Sequence, residues 1–301
     1  MPFDPARRRA LVIFNPVAGM RRRVKLNRIL ALLEGKGCAV TLRETAAKGH
    51  AEAMAREADP MAFDVVVAAG GDGTINEIIN GLADSPLPLA LIPLGTANVL
   101  AAELGLALSP GAVAETVARG APAHVYLGNA NGRLFALMIG VGIDARVVEA
   151  LDPRLKRLAG KLAYVWSALG TIARYRPARY QVEIDGEHYA AAAAVIAKGR
   201  FYGGRFVLAP RANLGHPSLQ IVLLERAGRW NLVRYGVALV RGRLDRLPDV
   251  RVIEANRATV FGPEGEAVQA DGDLASTLPL IVTVSDRPLA IIENVRPQRS
   301  S

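Results

Sequence analysis

Before residue 125, short unbroken apolar runs alternate with stretches of helical spacing. The runs at 10–14, 38–42, 64–69 (DVVVAA) and 87–92 are apolar at successive positions, which predicts strands buried on both faces. Between them, Val24, Leu26, Ile29, Leu30 and Leu33 recur at helical spacing and are ended by Gly35 and Gly37. Residues 50–58 are rich in Ala and Glu and stop before Pro60, and 75–82 and the stretch through Leu104 show the same period. Strand and helix in alternation predict a parallel sheet covered by helices, joined by right-handed crossovers. Ligands on such a sheet bind at the carboxyl ends of its strands.

The pattern changes after residue 125. Short β-like segments follow at 135–139, 180–184, 191–197, 206–208, 219–223, 250–253, 258–261 and 281–284, separated by turn pairs such as Asp185-Gly186, Gly203-Gly204 and Asp271-Gly272. This predicts a largely antiparallel β-sandwich. One helical segment, 154–174, interrupts it. The expected division is an α/β domain over 1–128 and a β-sandwich domain over 129–301, with the last residues packing back on the first domain.

Composition narrows the class. The 301 residues are 51% hydrophobic and 22% charged, enough apolar material for two cores and unlike a disordered chain. The single cysteine, Cys38, permits no intrachain disulfide and reads as core packing, and four dispersed histidines suggest no zinc site. No apolar stretch approaches the ~18 residues that a membrane-spanning helix needs, so the chain is expected to be soluble or membrane-peripheral. The net charge of +9 favours anionic partners, with Arg7–Arg9 and Arg21–Arg23 as the visible blocks. Aromatic residues are only 5% and do not interleave with basic ones, which argues against a nucleic-acid reader.

Three turns carry candidate chemistry. Gly70-Gly71-Asp72-Gly73-Thr74 lies between a buried strand and a helix, where glycines admit phosphate oxygens and the helix start offers N–H groups and a positive dipole end. Asp72 there suits a Mg²⁺ held by those phosphates. No Walker A motif is present, and a tight glycine turn is the plain alternative. Pro93-Leu94-Gly95-Thr96-Ala97-Asn98 follows the next strand; Thr96 suits a helix cap or a phosphate, Asn98 a polar nucleotide group. Asn15-Pro16-Val17-Ala18-Gly19 follows the first strand. Three such turns at strand ends suggest one shared cleft.

NPVAG, GGDGTINEIINGL and PLGTAN, in this order and spacing, resemble the diacylglycerol kinase catalytic domain of bacterial lipid kinases and sphingosine kinases. Gly140-Val-Gly-Ile-Asp144-Ala, Tyr202-Gly203-Gly204 with Leu208-Ala209-Pro210, and Asp271-Gly272 extend the resemblance over nearly the whole chain. It implies a Rossmann-like, phosphofructokinase-like nucleotide domain, then a β-sandwich, with the active site in the cleft between them. It also implies Mg²⁺-ATP as donor and the hydroxyl of a membrane lipid, such as diacylglycerol or a sphingoid base, as acceptor. ATP would meet Asn15, Pro16, Gly19, Thr45, Gly70, Gly71, Asp72, Gly73, Thr74, Asn76, Glu77, Gly95, Thr96 and Asn98. Asp72 would serve the metal–phosphate site, and Asp144 resembles a lipid-hydroxyl or metal contact. Such a protein is expected in the cytoplasm, peripheral at the inner, anionic membrane face; a homodimer is left open. The segment 154–174 pairs cations with an apolar face (Leu162, Val165, Trp166, Leu169) that suits a bilayer, or equally a core helix with a basic edge.

Three departures stand out. The family's acid–base motif reads Asp-Gly-Glu, whereas this chain has Asp271-Gly272-Asp273; either Asp273 acts as base with a compensating loop, or it does so in a slower enzyme, or Asp271 takes the role. Val99 stands where many bacterial relatives carry Asp. Asn213-Leu-Gly-His-Pro-Ser218 replaces a segment where relatives carry acidic residues at a structural Mg²⁺ site, and Gly215 and His216 cannot substitute for two carboxylates, so no second metal is expected. A NAD kinase-like enzyme, sharing GGDG and a β-rich second domain, and a nucleotide- or lipid-binding protein that has lost catalysis are the alternatives.

Overall fold

A computed structural model describes residues 8–16, 20–142 and 178–295. The chain divides into two compact units, 1–125 with 288–301, and 126–287.

The first unit is built on a six-stranded sheet in the order β2-β1-β3-β4-β20-β5. Its strands are β1 (Arg9–Phe14), β2 (Ala39–Glu44), β3 (Val65–Gly70), β4 (Leu89–Pro93), β5 (Pro122–Val125) and β20 (Leu289–Ile292). β2, β1, β3, β4 and β20 run parallel, and β5 closes the edge antiparallel to β20. Every residue of β3 and β4 is buried, as their unbroken apolar runs require. The helices are α1 (Met20–Gly35), α2 (His50–Arg56), α3 (Asp72–Gly81), α4 (Val99–Glu103) and α5 (Pro110–Arg119). Leu26, Ile29 and Leu33 of α1 and Val113, Ala114 and Val117 of α5 pack on one sheet face with Cys38. Arg8 is buried and donates to the carbonyls of Val117 (2.6 Å) and Gly120 (3.0 Å), satisfying the last carbonyls of α5 with a cation.

The second unit is a sandwich of two antiparallel six-stranded sheets. One is ordered β10-β9-β16-β19-β6-β7: β6 (Gly128–Ala130), β7 (Arg133–Phe135), β9 (Tyr180–Ile184), β10 (Glu187–Ala191), β16 (Arg257–Phe261) and β19 (Leu280–Val284). The other is ordered β15-β14-β11-β8-β17-β18: β8 (Met138–Val141), β11 (Ala193–Ala197), β14 (Leu219–Leu224), β15 (Val250–Ala255), β17 (Ala267–Ala270) and β18 (Asp273–Thr277). A two-stranded ribbon, β12 (Phe201–Tyr202) and β13 (Phe206–Val207), stands beside them. Alternation sorts the second sheet. Leu219, Ile221 and Leu223 enter the sandwich core, whereas Val222 faces the helix α6 (Arg229–Val240), meeting Leu232, Tyr235 and Ala238.

The expected strand over 135–139 is two strands, broken at Ala136-Leu137, and that over 191–197 belongs to β10 and β11. The segment 154–174 lies outside the described residues.

Candidate active site

Four neighbouring parallel strands, β2, β1, β3 and β4, end at the same edge of the first sheet. Parallel pairing alone therefore brings Thr45, Asn15, Gly71 and Gly95 side by side. Thr45 is buried, and its N–H donates to the Phe14 carbonyl at 2.9 Å. The Asn15 N–H donates to Ala69 O (3.2 Å), and its Nδ2 donates to Thr74 Oγ1 (3.3 Å). The end of β1 is thereby tied to the first turn of α3.

Two close approaches explain the glycines. A Cβ on Gly70 would sit 2.7 Å from Thr74 Oγ1, so only glycine lets α3 fold back on β3. A Cβ on Gly95 would lie 2.7 Å from the Gly71 Cα, so the β3–α3 and β4–α4 turns meet backbone to backbone. The result is a strip of main chain bare of side chains at the start of α3. Its N-cap, Gly71, has no side chain to bond the first N–H groups, which is the arrangement that receives phosphates elsewhere.

Asp72 opens α3, and its Oδ1 accepts from the Leu100 N–H at 3.4 Å, reaching the first turn of α4. Asn98 takes a left-handed conformation (φ 47°). Its Nδ2 donates to Gly95 O (3.0 Å), which closes its own turn. Asn98 Oδ1 is buried without a partner, close to the position a Gly95 Cβ would take. Glu77 Oε2 accepts from the Ala51 N–H (3.2 Å) at the start of α2, and Asn76 O accepts from Asn80 Nδ2 (2.9 Å). Thr96 is exposed and its Oγ1 accepts from an Arg22 guanidinium nitrogen at 3.2 Å.

Arg22 was not singled out from sequence beyond its charge, and Lys25 not at all. Lys25 Nζ donates to the Pro93 carbonyl (3.3 Å), and burial lowers its pKa below the ordinary lysine value. Both cations sit on α1 beside the β4–α4 turn. The available signal was their place directly after the Asn15-Pro16 turn. Gly19 and Asp144 lie outside the described residues.

In the second unit, Asp271-Gly272 joins β17 and β18 with φ of 50° and 89°, the two positive values of a type I′ hairpin turn. The Asp271 carboxylate accepts three backbone N–H groups: Ala136 (2.8 Å), Leu137 (2.9 Å) and Met138 (3.0 Å). Ala136 and Leu137 form the break between β7 and β8 and Met138 opens β8, so the carboxylate takes up the N–H groups where the segment is not one continuous strand. Asp273 is half-buried at the start of β18. Just beyond it the pairing slips, from Gln269↔Leu274 to Val268↔Ser276, leaving Ala275 as a bulge that re-aims the strand. Among the described residues no group of three His, Cys, Asp or Glu could hold a metal ion.

The diacylglycerol kinase catalytic domain model matches residues 9–130, and the YegS C-terminal NAD kinase beta sandwich-like domain model matches 137–293. The diacylglycerol kinase of Bacillus subtilis (strain 168) is 31% identical over 280 residues, covering 90% of this chain and 92% of that protein. That of Mycobacterium tuberculosis (strain H37Rv) is 29% identical, covering 76% of each. A crystal structure of a diacylglycerol kinase from Bacillus anthracis strain Sterne has a TM-score of 0.75 at 22% identity, covering 95% of this chain and 97% of that one, a likeness of fold. With one family model on each unit and a relative above 30% identity along nearly the full length, the chain belongs to the diacylglycerol kinase family.

Proposed function

We propose that the protein is an ATP-dependent lipid kinase that moves the γ-phosphoryl group of ATP onto a hydroxyl of a membrane lipid, such as diacylglycerol or a sphingoid base. One observation carries the reading: the strand ends of β2, β1, β3 and β4 converge on a glycine-lined strip at the start of α3, with Asp72 in its first turn. In this reading the triphosphate lies on the main chain of Gly70–Thr74 and against Gly95 and Thr96, with Asn15, Pro16, Gly19 and Thr45 around it. Arg22 and Lys25 add positive charge beside the phosphates. Asn76, Glu77 and Asn98 are kept as nucleotide contacts, with Glu77 also holding the start of α2 and Asn98 its own turn.

The donor set fits a magnesium ion that arrives with the nucleotide. Asp72 offers one carboxylate, and no protein cage surrounds it among the described residues. That ion would neutralise phosphate charge and keep the transferred group in line. The acceptor hydroxyl is assigned to Asp273 as general base. Its proton passes to the Asp273 carboxylate, its oxygen bonds to the γ-phosphorus, and the bond to the bridging oxygen breaks to release ADP. Asp271 is assigned to positioning, because its oxygens already hold three N–H groups. Asp144 is kept as a contact of the lipid hydroxyl.

The reading includes contact with the anionic inner face of the membrane from the cytoplasm. No helix among the described residues is long and apolar enough to cross a membrane. Helix α6, however, exposes Trp230 (87%), Val233, Val237 and Val240 (65%) along one stripe. Arg229, Arg241 and Arg243 are exposed beside it, and α6 contains no acidic residue. An apolar stripe with a tryptophan and a cationic border matches an anionic bilayer surface.

Labelled ATP and Mg²⁺ with a panel of diacylglycerol, sphingoid base, ceramide, isoprenoid alcohol and NAD test the reading. Label in an organic-phase lipid phosphate is the expected result. Label in NADP would establish the NAD kinase alternative, and ATP binding without transfer to any acceptor would establish a binding protein.

A further inference from the structure

Lys198 follows β11 and is completely buried, yet no carboxylate among the described residues pairs with it. Its Nζ donates to three main-chain carbonyls of one short loop: Asn213 (3.2 Å), His216 (2.6 Å) and Ser218 (3.0 Å). An ammonium has three protons, so the three carbonyls use its full donor capacity. Isolated charges are not retained in protein interiors unless polar atoms replace the lost water. Here the replacement is a cage of carbonyl dipoles, the oxygen-only environment that hard cations also select.

The loop is shaped around that point. The His216 N–H donates to Asn213 O (3.2 Å) and Gly215 N–H to Asn213 Oδ1 (2.8 Å), which folds 213–216 into a tight curl with carbonyls turned towards Lys198. Residues 213–218 read Asn-Leu-Gly-His-Pro-Ser and contain no carboxylate. The donor set therefore does not fit the structural Mg²⁺ that the family resemblance implies at this loop. Three neutral carbonyls do not offset a divalent charge, and a fixed monocation already occupies their focus.

We propose that Lys198 is a tethered cation that takes the place of a bound metal ion, so the 213–218 loop is held by the chain's own ammonium and needs no divalent cation. Burial draws the Lys198 pKa down to about 8, which leaves the ammonium as the major form at neutral pH. The cage is also linked to the hairpin of Asp271. The Lys198 and Gly199 N–H groups both donate to Leu137 O (2.7 and 2.9 Å), and the N–H of that same Leu137 donates to Asp271 Oδ1.

The test is thermal unfolding of the full chain without nucleotide. The parent should melt at the same temperature in EDTA, MgCl2 or CaCl2, and Lys198→Met, which keeps the length but removes the charge, should melt several degrees lower. A parental melting temperature in Lys198→Met, or a parent stabilised by Mg²⁺ or Ca²⁺, overturns the proposal. If Lys198→Met does not fold, the triple variant Lys198→Ala, Gly215→Asp, His216→Asp decides. With two carboxylates added and the ammonium removed, its melting temperature should rise with Ca²⁺ or Mg²⁺ and fall in EDTA. Indifference to both would show that the carbonyls do not form a cation site.

Discussion

Asp271 and Asp273 are separated by one glycine but have different surroundings. The Asp271 carboxylate serves three buried amides, while Asp273 is half-buried at the head of a bulged strand. Replacing Asp271 by Ala should lower stability by ~3 kcal/mol, since hydrogen bonds to a charged acceptor are lost and buried donors are stranded. Asp273→Asn, which keeps the side chain's size, should cost less stability than Asp271→Ala and reduce turnover by ~10²–10⁴-fold, the usual worth of a general base. Melting curves and initial rates on both variants check the pair; equal effects on stability would refute the division of roles. Asp72→Ala should fold, because the side chain is only half-buried at the start of α3, yet lose turnover by at least ~10²-fold. The aspartates themselves were legible in the sequence. That Asp271 acts as an anchor was not, because its donors lie more than a hundred residues earlier in the chain and only the folded sheet brings them together.

Of the first unit's strands, β1, β3 and β4 were legible because burial on both faces writes a continuous apolar run; β2, expected to be buried on both faces, is an exposed edge strand, and β5 and β20 are too short to write a run of their own. Several strands of the second unit were not legible either. β17 and β18 are short, and β18 is broken by a bulge, which blurs the two-residue period. Helix α6 also went unread: only Leu232, Tyr235 and Ala238 are buried, while Trp230 and several valines face outward, so its apolar residues do not form one face. That outward stripe gives a prediction for the element. Trp230→Glu with Val237→Glu should reduce co-sedimentation with vesicles rich in phosphatidylglycerol by ~10-fold or more, given ~1.5–3 kcal/mol for each large apolar side chain withheld from burial. Unaltered sedimentation would remove α6 from the docking surface. The paired turns give another. Gly95→Ala would force a Cβ to 2.7 Å from Gly71 Cα, so the KM for ATP should rise while lipid affinity holds, as read from separate titrations of the two substrates.

Across the whole molecule, charge acts in two ways. The net +9 should make vesicle binding fall as salt rises, because a Debye length of ~10 Å at 0.1 M screens exposed arginines. Acid should weaken both units. The hydrogen bond from Arg9 holds the Asp64 carboxyl below its ordinary value. For Asp249, burial pushes upward, but hydrogen bonds from Tyr235 and Arg234 outweigh it and the net shift is also down. A depressed carboxylate adds stability above its unfolded pKa of ~4 and loses it as pH falls through the lower folded value. Melting temperature should therefore fall as pH is lowered through that window. Asp249→Asn should melt lower at neutral pH and show a shallower acid dependence.

The strand β20 carries a consequence for synthesis. It lies between β4 and β5, where Leu289–Ile292 pairs with Val125–Pro122 and Ile291 with Leu89, and Asn294 bonds Gly105 O and Thr116 Oγ1 just beyond it. While the ribosome is still translating the sandwich, the sheet of the first unit lacks its fifth strand, and β5 has no neighbour to join. The sandwich can settle first, although it is encoded later than most of the sheet. A premature stop shortly before Leu289 would thus spare the sandwich and cripple the sheet encoded before it, and nascent chains would be expected to gain ATP affinity only once the codons of β20 are read.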